Sequence, residues 1–224
     1  MGYDDFIELE RTFHGLAPGD DDSEIMPGRR IGRIFTWSEL LAEHRVIVLS
    51  EAGSGKTEEF RNVAKITREE GKAAFFLRLE FVADDFETSF DEGTVAEFEA
   101  WLASDADGWL FLDSVDEARL RNPKDLERAV RRLGQKLSVA MARAHILLSS
   151  RVEAWRSKSD LQMCERILPF APPAAKESRD GSVKSPFTVV TLDDLNDRQI
   201  EVFAYRRGVS DARALVDAIQ RADA

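Results

Sequence analysis

A lysine–threonine pair, an aspartate, two further acids and an arginine stand at spacings that suit phosphate and metal chemistry. Lys56 and Thr57 close the stretch Ser50-Glu51-Ala52-Gly53-Ser54-Gly55-Lys56-Thr57. A turn of small residues lets successive backbone N–H groups converge on an anion, and a helix starting at the lysine adds its positive dipole end. From there Lys56 reaches the outer phosphates of a nucleotide, and the Thr57 hydroxyl is a ligand for Mg²⁺. The stretch follows the pattern G-x-x-x-x-G-K-[ST] except at its first position, where Ser50 replaces Gly. Residues Ser50 to Thr57 are therefore the candidate nucleotide-binding loop, with ATP or ADP and Mg²⁺ as cofactors.

Asp113 ends an apolar run, Trp109-Leu110-Phe111-Leu112, and precedes Ser114-Val115-Asp116-Glu117. A carboxylate at the end of a buried strand beside such a loop is the Walker B arrangement, in which the acid holds the metal. One turn further on, Glu117 or Asp116 is placed to orient or deprotonate an attacking water; the longer arm of Glu117 puts it first. Arg151 follows Ser149-Ser150 at the end of another apolar run. Its guanidinium matches phosphate oxygens in charge and geometry, which suits a γ-phosphate contact; a salt bridge to Glu153 or to another local acid is the other use for it. Glu58 and Glu59 lie in the first turn after the loop, where they favour the helix dipole but crowd a phosphate if they face it.

These residues need strands to deliver them. Val46 to Leu49, Ala73 to Leu79, Trp109 to Asp113, Ala144 to Ser150 and Phe187 to Leu192 read as short buried strands. Helices are expected between them: about 56–70, stopped at Gly71; one capped by Thr94 reaching Leu102; and one from Pro123 through about Met141. Thr36 or Ser38 caps a short helix ahead of the first strand, and Trp37 in it either packs as core or flanks a nucleotide base. Asn196 and Asp211 cap two last helices, the first with Ile200, Phe203 and Ala204 facing inward. Strands alternating with helices make an α/β fold with a parallel sheet covered on both faces. Ligands gather at the carboxyl ends of such strands, where Ser50, Asp113 and Arg151 all fall.

Residues 1–30 carry Gly, Pro and an Asp run and read as an N-terminal arm, with Phe6, Leu9 and Phe13 spaced for a short helix. Residues 31–192 form the nucleotide-binding domain and 193–224 the C-terminal helices. The stretch 156–186, broken by prolines, reads as a surface loop. The 224 residues are 43% hydrophobic and 33% charged, with a formal net charge of −11. That charge disfavours broad nucleic-acid binding. No apolar run reaches membrane-spanning length and no signal-peptide pattern opens the chain, so the cytoplasm is the expected location. The single Cys164 excludes an internal disulfide framework, and His14, His44 and His145 share no metal-ligand pattern.

With these motifs in hand, the chain resembles the NACHT branch of the STAND signal-transduction P-loop ATPases. The resemblance rests on Ser50 to Thr57, on Asp113-Ser114-Val115-Asp116-Glu117 and on Leu147-Leu148-Ser149-Ser150-Arg151, over roughly residues 31–205. Ser50 and Ser114 stand where that family has Gly. The resemblance implies a five-stranded parallel sheet of order 5-1-4-3-2 followed by the start of a small helical domain. It also implies an ATP/ADP switch that hydrolyses slowly, forms a homo-oligomer with ATP bound and works with C-terminal sensor domains, often in antiviral defence. On that reading the chain is the nucleotide-binding module of a larger protein. A P-loop phosphotransferase, using Lys158, Lys176, Arg179 and Lys184 as a basic lid, and a nucleotide-binding scaffold without turnover are the competing readings.

Overall fold

A computed structural model describes residues 6–16, 32–113, 115, 124–170 and 185–222. Its strands are β1 (Thr12–Gly15), β2 (Ile34–Thr36), β3 (Arg45–Ser50), β4 (Ala73–Arg78), β5 (Phe90–Glu92), β6 (Gly108–Asp113), β7 (Ala144–Arg151) and β8 (Thr188–Leu192). The helices are α1 (Trp37–Ala42), α2 (Lys56–Glu69), α3 (Leu79–Val82), α4 (Val95–Leu102), α5 (Asp125–Lys136), α6 (Ser157–Ile167), α7 (Asp197–Arg206) and α8 (Ala212–Ala222).

The strands form one mixed sheet of eight, in the order β2-β1-β8-β3-β7-β6-β4-β5. This overturns the expected five-stranded, wholly parallel sheet. Pairing is parallel from β8 through β3, β7 and β6 to β4, but β1, β2 and β5 add antiparallel strands at the two edges. The reason is local. The added strands are three or four residues long and carry no long apolar run, so neither length nor periodicity marks them. β1 lies inside the stretch read as an arm. No helix forms over Phe6, Leu9 and Phe13; instead Phe13 is a fully buried strand residue.

The central strands are apolar throughout because both faces are covered. Side chains alternate between faces along each strand. Ile47, Leu49, Leu110, Leu112, Ile146 and Leu148 pack with Leu79, Phe98, Trp101, Leu126, Val130, Leu133 and Cys164, so α3 to α6 cover one side. Val46, Val48, Phe76, Phe111 and Leu147 pack with Leu40, Phe60 and Val63, so α1 and α2 cover the other. Trp37 sits edge-on between Phe13 and Phe60 and so packs as core. The site is held by this double-sided burial of β3, β6 and β7.

Several boundaries differ from expectation. α5 runs Asp125–Lys136, shorter than the stretch to Met141. Ser157–Ile167, within the expected surface loop, is a helix that buries Met163 and Cys164. On α7 Ala204 is buried, but Phe203 is 40% exposed rather than inward. Thr36 is the cap of α1, in a reciprocal pairing with Glu39. Among the described residues, no helix is long and apolar enough to cross a membrane.

Candidate phosphate-binding site

β3 ends at Ser50 and α2 begins at Lys56, so the chain must reverse within Glu51 to Gly55. Two left-handed residues make that turn, Gly53 at φ +76° and Gly55 at φ +85°. Nothing stands within 4 Å of a Cβ built on Gly53, so its backbone conformation requires glycine there, not crowding. Gly55 is the N-cap of α2, and its carbonyl accepts the Glu59 N–H at 3.0 Å. The amides ahead of Glu59 are those a helix leaves without internal partners, and they open on the loop.

Asp113, 2% exposed at the end of β6, is the centre of the cluster. Thr57 donates its hydroxyl to Asp113 Oδ2 at 2.8 Å, and Ser149 of β7 donates to Oδ1 at 2.5 Å. Lys56 Nζ lies 3.8 Å from Oδ1 and is itself 8% exposed. A buried lysine and a buried carboxylate therefore meet beside the half-buried Thr57 hydroxyl, where charge interactions are stronger than in water. Arg151 stands opposite Ser50 in the β3–β7 register and is exposed. Glu51, Ala52 and Gly53 are exposed at the tip of the loop. Asp116 and Glu117, the candidates for activating water, lie outside the described residues, as does Ser114.

The two first-turn acids are engaged elsewhere. Glu58 accepts from Arg61, and buried Glu59 accepts from the Trp37 indole N–H at 3.2 Å. Burial pushes the Glu59 carboxyl above its usual range, against the pull of Trp37 and Arg11. Two further residues escape sequence reasoning. Ser149 shows in the sequence only as a small polar residue interrupting an apolar run. Arg11 donates to the Ser54 carbonyl at 3.1 Å from a stretch without any motif.

The donor set fits a polyphosphate and its metal. Among the described residues nothing hydrogen-bonds the buried hydroxyls of Ser50 and Ser54, and such orphans are costly unless a ligand or water meets them. No group of three or more His, Cys, Asp or Glu suited to a metal occurs among the described residues. A Mg²⁺ bound with a nucleotide takes most of its oxygens from phosphate and water, and needs only one or two protein ligands. Thr57 and Asp113 would supply such a pair.

Compared with protein-family models the chain matches none, and no curated protein matches its sequence.

Proposed function

We propose that this chain binds ATP and ADP with Mg²⁺, hydrolyses ATP slowly and serves as a conformational switch of the STAND kind. The observation that carries the reading is the approach of Thr57 and Lys56, at the start of α2, to Asp113 at the end of β6. An ordinary glycine–serine turn has no reason to bury a lysine against an aspartate that also takes a threonine hydroxyl. Lys56 binds the outer phosphates, and Thr57 and Asp113 would hold Mg²⁺. When bound, the ion neutralises charge on the phosphate oxygens. Ser149 fixes the Asp113 carboxylate, and Arg151 reads the presence of the γ-phosphate. Glu117, with Asp116 second, orients the attacking water; these two roles rest on sequence alone. A ligand moves a switch only through its different affinity for two states, so the γ-phosphate contacts carry the signal.

The test is direct. Nucleotide released on denaturing the purified protein is identified, and ATP and ADP binding are measured by calorimetry with and without Mg²⁺. Lys56→Ala is expected to weaken ATP roughly ten- to hundredfold, the scale of a charge-assisted hydrogen bond. Unchanged ATP affinity in that variant would contradict the reading. A labelled product other than free phosphate, in the presence of candidate acceptors, would move the assignment to a phosphotransferase.

A further inference from the structure

A second buried polar cluster adjoins the phosphate-binding loop on the β8 side, built by residues with no part in the scheme above. Its centre is Arg11, 6% exposed, in the stretch leading into β1. One end of its guanidinium donates to the Ser54 carbonyl in the loop at 3.1 Å, and the other donates to the Asp193 carbonyl at 2.5 Å. Asp193 directly follows β8 and precedes α7. Its carboxylate is held in turn by β1, with Thr12 Oγ1 at 2.6 Å and His14 Nδ1 at 2.5 Å, and its N–H donates to the Thr12 carbonyl.

The neighbouring backbone is held as firmly. Glu10 is the one described non-glycine residue at positive φ, +47°. A side chain tolerates that region poorly, so it persists only where surrounding structure imposes it. The restraint here is Gln199 on α7, whose amide donates to the carbonyls of Leu9 and Glu10 while its oxygen caps the helix. α7 is tied to α8 through Gln220 and Asp197. Hydrogen bonds, joined by short stretches of backbone, thus link the loop through Arg11 to the Asp193 junction and, through Glu10 and Gln199, to the C-terminal helices.

We propose that Arg11 is a positioning residue that couples the phosphate-binding loop to the Asp193 junction, so that a change in the loop is passed to α7 and α8 through one buried guanidinium. Both ends meet backbone carbonyls, which no substitution elsewhere replaces. The planar fork presents N–H groups to both acceptors in fixed directions, whereas an ammonium is a compact donor on a flexible stem. Burial lowers the basicity of the guanidinium, and Glu59, Asp194 and Asp193 around it oppose that only in part. Its two hydrogen bonds keep the bridge closed while the loop holds its shape. A shift of the Ser54 carbonyl must either pull Asp193 with it or break one bond. The nucleotide dependence of this coupling rests on the function proposed above; the mechanical link does not.

The experiment separates the two. Peptide-level hydrogen exchange is followed in the unliganded protein and in Arg11→Gln. Removal of the bridge is expected to speed exchange in both 51–55 and 193–199 roughly tenfold, the size of one charge-assisted hydrogen bond, with 73–78 and 108–113 unchanged. Acceleration in only one of the two segments, or in neither, overturns the link. Arg11→Lys keeps the charge without the fork and is expected to uncouple the segments in the same way; it carries the test should Arg11→Gln fold poorly. With saturating ATP against ADP, the wild type is expected to show a difference at 193–199 that Arg11→Gln abolishes while calorimetry still records nucleotide binding. The same difference persisting in the variant, or absent from a wild type that binds both nucleotides, overturns the coupling. A wild type that binds neither nucleotide refutes the proposed function and leaves the unliganded comparison to decide the link.

Discussion

At the scale of single residues the candidate site turns on Asp113, which is surrounded by donors of three kinds: a threonine hydroxyl, a serine hydroxyl and a lysine ammonium. Asp113→Asn removes the charge and keeps the shape; its one amide oxygen serves one of the Thr57 and Ser149 hydroxyls, and the other hydroxyl turns to accept from the amide NH2. The expected outcome is a protein that folds normally and binds ATP in EDTA about as well as wild type. The further affinity conferred by Mg²⁺ should fall at least about tenfold, the scale of a single charged ligand's pull on the ion. Calorimetry of both proteins with and without the metal checks this; an undiminished Mg²⁺ effect would remove Asp113 from the metal's surroundings. Two other residues make a prediction about stability. The rings of His44 and His145 stack with centroids 4.1 Å apart, and His145 also stacks on Trp109. Burial, and for His44 the neighbouring imidazole, hold both below the ordinary value of about 6.5. The unfolded chain therefore takes up protons below about pH 6.5 that the native state refuses. Stability from this pair is complete above that pH and declines as pH falls toward the native values. Glu59, raised by burial, titrates with the opposite sign, so the readout is the difference between wild type and His145→Phe in urea midpoint from pH 7.5 to 5.5. The variant should lose less; equal loss would mean that His145 titrates freely in the native state. Lys56, Thr57, Asp113 and Arg151 were legible in the sequence because motif spacing marks them. Ser149 and Arg11 were not: they act across 36 and 43 positions of chain, and only the fold sets those distances.

At the scale of elements, what was legible were the long apolar strands, whose residues must hide on both faces whatever their neighbours. The edge strands depend on pairing partners and not on their own composition. β5 reads Phe90-Asp91-Glu92, acidic enough to pass for loop, yet it pairs with β4 while Asp91 takes Arg61 and Arg78. α6 was illegible for a different reason. Most of its residues are charged or polar, and the buried ones are only Met163, Cys164 and the charged Asp160, too few to mark an apolar face. The close approach of α6 to α5 yields a prediction with an inverted sign. Gly134 lies inside α5, where alanine ordinarily stabilises a helix by about 1 kcal/mol. Here a Cβ would stand 2.8 Å from Ile167 Cγ2 and 2.9 Å from the Ile167 carbonyl oxygen. A methyl is easily turned aside, but a backbone oxygen at the end of a helix is not. Gly134→Ala is therefore expected to destabilise the protein by about 1–3 kcal/mol, the usual cost of overpacking. Urea unfolding measures it, and a net gain in stability would show that α6 does not close on α5.

At the scale of the whole molecule, the proposed site for a polyanion sits in a chain with a formal net charge of −11. The two facts act over different distances. Lys56, Arg11 and Arg151 stand within or beside the loop and act at short range, whereas the excess of acids is spread over the chain and acts as a far field. At low ionic strength the screening length is about 30 Å and shrinks to about 10 Å near 0.1 M salt. An approaching nucleotide therefore meets the repulsive field of the entire chain in dilute buffer, and mainly the local cations in concentrated buffer. Raising salt removes the repulsion first, because it is the longer-ranged of the two. The association rate for ATP, at constant free Mg²⁺, is expected to rise between roughly 20 and 200 mM salt, opposite to the usual steering of a charged ligand toward its site. Dissociation, governed by the buried groups Lys56 and Asp113, should change less, since partly buried pairs are screened weakly. Stopped-flow measurement with a fluorescent ATP analogue resolves the two rates. An association rate that falls with salt would show that the basic groups around the loop, and not the acidic surface, set the field the nucleotide feels.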